Sequence, residues 1–149
     1  LYLFNYFKNT DFQIIFFLGN ESKKITKINL QKFKNIKVKY NLDHIAKHIY
    51  YSDLVICGGG YIKLETAFLQ TPMITIPVQD HQLTLVKDFK KFCDIPYIID
   101  KKDKNKFKLN TLIDEFNYGR RLQIKANLKK KFKPKNINKR LINLILNSK

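Results

Sequence analysis

Between Phe12 and Asp100 the chain repeats one arrangement: a short apolar run, then a stretch long enough to hold a helix. The runs are "FQIIFFLG" (Phe12–Gly19), "IKVKY" (Ile36–Tyr40), "DLVIC" (Asp53–Cys57), "MITIPV" (Met73–Val78) and "PYIID" (Pro96–Asp100). Between them, "LDHIAKHIYYS" (Leu42–Ser52), "YIKLETAFLQ" (Tyr61–Gln70) and "HQLTLVKDFKKFC" (His81–Cys93) carry apolar residues at helical spacing. Strands joined through helices run parallel, because the connection carries the chain back to its starting end. The alternation therefore predicts an α/β fold, a Rossmann-like parallel sheet with helices on both faces. Beyond Asp100, "LNTLIDEFNYGRRLQIKANLKKKF" (Leu109–Phe132) reads as one helix and "NINKRLINLILN" (Asn136–Asn147) as another, separated at Pro134. There is no internal repeat and no flexible linker. The expectation is a single domain over 1–149, with a helical basic tail over 105–149.

Glycine is scarce, five residues in 149, yet Gly58, Gly59 and Gly60 stand in a row. They follow the apolar run "LVIC" and precede a helical pattern, so they fall at the carboxyl end of a strand, where open α/β sheets bind ligands. Unpaired N–H groups at a helix start suit a phosphate, and glycine allows close approach and positive φ. Two familiar phosphate motifs are absent. No G-K-[ST] follows, and Lys63 stands where the dinucleotide pattern needs its third glycine. A tight strand-to-helix turn with no ligand therefore remains an alternative. Glu65, further along the same helix, is placed for a carboxylate to accept from two vicinal hydroxyls such as a ribose offers, although an exposed helix glutamate is common. The next strand-to-helix junction, "VQDHQ" (Val78–Gln82), brings Asp80, His81 and Gln82 to the same sheet edge. Asp80 there also suits plain helix N-capping.

The chain carries 29 Lys and Arg against 12 Asp and Glu, a formal charge of +17. A nucleic acid or an anionic membrane is the partner such a charge suggests. The lysines are spread along the chain beside abundant Asn, Ile, Phe and Tyr, as an AT-rich coding sequence produces. Only "KANLKKKFKPKNINKR" (Lys125–Arg140) is concentrated enough to meet acidic headgroups or phosphates. Its aromatics are not interleaved as a base-stacking platform requires, so nucleic acid is not the expected partner. Cys57 and Cys93 lie in apolar settings without metal-ligand spacing and read as buried thiols of a reducing compartment. Cys57 also stands beside the glycines, where a helix start lowers a thiol pKa, or it is simply a small apolar residue under the loop. His44 and His48 are spaced four apart, but no third ligand follows, so no metal site is expected. No apolar run is long enough to span a bilayer, and "LYLFNYFKN" lacks the order of a signal peptide.

The stretch "DLVICGGGYIKLETAFLQTPMITIPVQDHQ" (Asp53–Gln82) resembles the donor-binding half of GT-B fold enzymes, and most closely the glycosyltransferase family 28 C-terminal domain. It is similar also to the UDP-sugar hydrolase of pseudaminic acid synthesis and to spore-coat polysaccharide proteins. The shared pattern is a strand, a glycine pair, a spacer, Glu, an Ala/Leu-rich helix, Pro, an apolar strand, and a polar turn ending in Gln. In this chain those are Gly59 and Gly60, Glu65, Ala67 and Leu69, Pro72, "MITIP" and Gln82, without a gap. The resemblance implies the C-terminal half of a GT-B fold and a UDP-sugar donor, with no cofactor and no metal. It implies that Gly58, Gly59, Gly60 and the N–H groups of Tyr61 and Ile62 hold the diphosphate, and that Glu65 binds the ribose. Gln82, with His81, would contact the donor sugar. Leu42 would meet uracil through its backbone, and Gly19 and Asn20 would border the phosphates. Three positions depart from the pattern. Tyr61 replaces a Ser or Thr, Gln70 replaces the Gly of the helix end, and His81 replaces a different polar residue.

The expected function is donor binding in a glycosyltransferase for hexosyl or N-acetylglucosaminyl transfer, in cell-envelope or surface polysaccharide synthesis. The alternatives are the UDP-sugar hydrolase, a basic nucleic-acid module, and a non-catalytic sugar-nucleotide sensor. The resemblance places the acceptor site and catalytic base in an N-terminal domain. The chain opens on Leu1, so it is expected as a fragment or a subunit needing that domain as partner, and its catalytic residues are not assigned. The expected location is cytoplasmic, with contact at the inner face of the membrane.

Overall fold

A computed structural model describes residues 7, 9–19, 33–40, 45–93, 95 and 115–132. Two compact units are present, Leu1–Ile45 and Ala46–Lys149. In the first, β1 (Ile14–Leu18) and β2 (Ile36–Tyr40) pair in parallel, from Ile14 opposite Ile36 to Leu18 opposite Tyr40. Side chains alternate across a strand. Ile14 and Phe16 therefore share a face with Ile36 and Val38, and these four pack together with Phe33. The approach to β1 is tied down by Asn35. Its Nδ2 donates to the carbonyls of Phe7 (2.9 Å), Thr10 (2.8 Å) and Phe12 (3.2 Å), while the Ile14 N–H donates to the Asn35 carbonyl at 2.8 Å.

The helix α1 (Ile45–Tyr50) begins at the boundary of the units and leads into the second. There β3 (Val55–Gly58), α2 (Ile62–Phe68), β4 (Met73–Ile76) and α3 (Asp80–Cys93) follow in order, and α4 (Tyr118–Lys131) is the last described helix. The strands β3 and β4 are parallel, from Val55 opposite Met73 to Gly58 opposite Ile76. The core of this unit gathers Ala67 of α2, Met73 and Ile74 of β4, Phe89 and Cys93 of α3, Ile95, Phe116, and Ile124 and Leu128 of α4. Ile124, Leu128 and Phe132 recur every four residues, which puts them on one helix face. Phe132 closes that face against Phe89 and Phe92, at ring separations of 6.2 and 6.1 Å.

Parallel strands alternating with helices are what the apolar pattern predicts for an α/β fold. The Pro96–Asp100 strand and the Asn136–Asn147 helix lie outside the described residues. The helix expected over Leu109–Phe132 is interrupted. Asn117 adopts φ −55° and ψ 169°, outside the helical region, and its Oδ1 accepts from the Arg120 N–H at 3.0 Å. Asparagine competes well for that N-cap geometry. A fresh helix therefore starts at Tyr118, and the Arg121 guanidinium donates back to the Phe116 carbonyl at 2.9 Å.

Candidate functional site

Because β3 and β4 run in register, the chain leaves both strands at one edge. Residues 59–61 and 77–79 then turn side by side into α2 and α3. The two turns touch at Gly59, which is buried. A Cβ on Gly59 would stand 2.8 Å from Gln82 Cβ and 2.9 Å from Val86 Cγ2, so only glycine fits against the first turns of α3. Gly58 and Gly60 differ. An added Cβ at either meets nothing within 4 Å. None of the described glycines has a positive φ, so of the two freedoms glycine allows, the run uses close approach and not left-handed backbone. Gly59 is required by close approach, and its neighbours are surrounded by open space.

The left-handed residue is Gln70, at φ 60°. It ends α2 in a Schellman arrangement: the Gln70 N–H donates to the Ala67 carbonyl (3.0 Å) and the Thr71 N–H to the Thr66 carbonyl (3.1 Å). The helix thus ends as glycine would end it, despite the glutamine. Thr71 then donates its hydroxyl to the Ile49 carbonyl at 3.0 Å, which fixes the start of β4 to the end of α1.

Glu65 lies in the first turn of α2 and is exposed. Among the described residues its carboxylate has no hydrogen-bond or ion-pair partner, so both oxygens are open to a ligand. Tyr61 precedes α2, is 82% exposed, and its side chain makes no cap hydrogen bond. Ile62 is half-buried, and its carbonyl accepts from the Thr66 hydroxyl at 2.7 Å. At the second junction Gln82 turns its Oε1 to the Val78 N–H at 3.1 Å. Its amide nitrogen is left for other partners among the described residues. Asp80 and His81 are exposed, and Asp80 is the first helical residue of α3 rather than its cap.

Lys63, which stands where a dinucleotide motif has its third glycine, joins the turn from below. It is 6% exposed, and its Nζ donates to the Gly59 carbonyl at 2.5 Å and to the Gly60 carbonyl at 3.3 Å. It also stands 5.8 Å from the centroid of the Phe89 ring. Helical spacing points position 63 inward and so foretells an apolar residue there. A buried lysine breaks that pattern, and the break was the available signal. Burial also decides the character of Cys57. The thiol is pushed up to about 12, with Lys63 pulling the other way, so it is an inert residue under the loop and not an activated one.

Of the residues proposed from sequence, Gly58, Gly59, Gly60, Tyr61, Ile62, Glu65, His81 and Gln82 gather at this one edge of the second unit. Gly19 follows β1 in the first unit, exposed and with nothing within 4 Å of an added Cβ. Asn20, Leu42 and His44 lie outside the described residues. Among the described residues no group of three His, Cys, Asp or Glu side chains is placed to hold a metal ion, and no helix is long and apolar enough to cross a membrane.

A parallel α/β unit with a glycine turn and an exposed carboxylate at its strand ends belongs to the class of open sheets that take ligands at that edge. Comparison with protein families gives the class a name. The glycosyltransferase family 28 C-terminal domain matches residues 4–141, nearly the whole chain, and the chain belongs to that family. Comparison with curated proteins gave no match. Membership makes this a glycosyltransferase donor-binding domain, whose class takes a nucleotide-sugar and works with an N-terminal partner domain.

Proposed function

We propose that this domain binds a UDP-sugar for hexosyl or N-acetylglucosaminyl transfer in the synthesis of a surface polysaccharide. The observation that carries the reading is the paired junction, where open space at Gly58 and Gly60 faces solvent, with Glu65, which has no partner among the described residues, on one helix and the amide of Gln82 on the other. In this reading the diphosphate lies over Gly58–Ile62 and the ribose hydroxyls donate to Glu65. The Gln82 amide nitrogen, with His81, meets a hydroxyl of the sugar. Leu42 meets the base, and Gly19 and Asn20 border the phosphates. Transfer breaks the bond between the anomeric carbon and the β-phosphate oxygen. Negative charge then grows on the departing UDP, and N–H donors already in position stabilise it. The acceptor and the base that deprotonates it belong to the N-terminal partner domain. Work at the cytoplasmic face of an anionic membrane suits two features, the free thiols Cys57 and Cys93 and the exposed Lys125, Lys129, Lys130 and Lys131 of α4.

Calorimetric titration with UDP and UDP-N-acetylglucosamine tests the reading. Glu65→Ala is expected to lose roughly 10- to 100-fold in affinity, the equivalent of one hydrogen bond to a charged group. Absence of UDP binding, or equal binding by the variant, refutes the site.

A further inference from the structure

We infer that Lys63 is the positioning residue of the phosphate-binding turn, and that it works by holding two peptide groups with their N–H bonds turned toward the ligand. The inference rests on the donor-site reading above and adds a residue to it. None of the described peptide bonds is cis. In a trans peptide the carbonyl and the N–H of the next residue point in opposite directions. Lys63 Nζ draws the Gly59 and Gly60 carbonyls to itself on the buried side of the turn. The N–H of Gly60 and the N–H of Tyr61 must then point away from Lys63. Among the described residues neither has an acceptor, and an added Cβ at Gly60 meets open space. Successive N–H groups turned to one side form a concave anion site. The buried charge beneath the turn adds a favourable field in a place poorly screened by water.

The arrangement also explains why a lysine is tolerated in this interior. Its polar head is satisfied by two carbonyls and the face of Phe89, and its stem fills a core position beside Thr66 and Ala67. A purely structural lysine would need only the first of these properties. A ligand-positioning lysine has a further consequence: its removal must discriminate between ligands by their phosphates.

The test compares UDP and UMP on the wild-type chain, Lys63→Met and Lys63→Arg, with folding checked by circular dichroism and the Gly60 and Tyr61 amides followed by NMR. In the wild type, UDP is expected to move both amide protons downfield. Lys63→Met is expected to weaken UDP roughly tenfold or more while changing UMP far less, so that the UDP/UMP preference collapses. Lys63→Arg keeps the charge and is expected to retain part of the preference. If Lys63→Met folds and keeps the full UDP/UMP preference, the inference fails and the donor-site reading stands. If the wild type binds UDP without shifts at Gly60 and Tyr61, the inference fails even where Lys63→Met does not fold. If the wild type binds no UDP, both fail together.

Discussion

At the scale of single residues, three adjacent glycines serve two different purposes, and substitution separates them. Alanine at Gly59 must push against Gln82 Cβ and Val86 Cγ2, both fixed on α3, and overpacking of this kind costs about 1–3 kcal/mol. Alanine at Gly58 or Gly60 meets nothing, so stability should stay within about 0.5 kcal/mol of the wild type while UDP affinity drops. Thermal melts and titrations on the three variants give the comparison, and equal destabilisation by all three would contradict the packing. Gln70 offers the reverse case. A non-glycine residue held at φ 60° is strained by about 1–2 kcal/mol, so Gln70→Gly is expected to raise the melting temperature without touching binding. The two thiols set a pH limit. Burial raises Cys57 to about 12 and Cys93 to about 11, from an ordinary 9.0. Between those values the folded chain keeps protons that the unfolded chain has released, so stability falls as pH rises. The contribution is complete below pH 9 and is lost above it, through about 11 for Cys93 and about 12 for Cys57. Urea unfolding at pH 8 and pH 10 should show a smaller decline in a Cys57→Ala, Cys93→Ala double variant.

At the scale of elements, the hydrophobic period located the strands closely. The run Ile36–Tyr40 is β2 residue for residue, and Met73 opens both the apolar run "MITIPV" and β4. It succeeded because these strands have little choice: β-branched and aromatic residues between turns pack or do not pack. Helix ends were less legible, since they depend on side-chain hydrogen bonds that no period encodes. Leu109–Phe132 read as one helix because its apolar residues keep helical spacing through Asn117, yet Asn117 caps a new start. Asn117→Ala should therefore cost about 1 kcal/mol, read by urea unfolding, because it leaves the Arg120 N–H without its acceptor. The candidate site was legible as far as residue type and spacing bring Glu65 and Gln82 to one sheet edge. It was not legible where it depends on contact. The collision that demands Gly59, and the carbonyls gathered by Lys63, appear only when the two turns are brought together in three dimensions. In the first unit, Asn35 is the equivalent local device. Its side chain serves three carbonyls ahead of β1, and Asn35→Asp, which puts acceptors against acceptors, should destabilise more than Asn35→Ala.

At the scale of the molecule, two units with separate cores raise the question of which of them a donor engages. The second unit holds the glycine turn, Glu65 and Gln82, the residues to which the proposed reading gives the diphosphate, ribose and sugar contacts. The base contact proposed for Leu42 and the phosphate border proposed for Gly19 and Asn20 fall on the first unit's stretch of sequence. Amide exchange and chemical shifts along a UDP titration make this testable residue by residue. Shifts are expected at Gly58, Gly60 and Tyr61 and also at Gly19 and Leu42. UMP should retain the Leu42 shift, which reports the base, and lose much of the Gly60 shift, which reports the β-phosphate. The net charge of +17 adds a second dependence. UDP should bind more weakly as salt rises, through screening of the general field. The difference between UDP and UMP should be less sensitive, because it is set at short range by oriented N–H groups over a buried lysine. Shifts confined to Gly58–Glu65 would restrict the donor site to the second unit and remove Gly19, Asn20 and Leu42 from it.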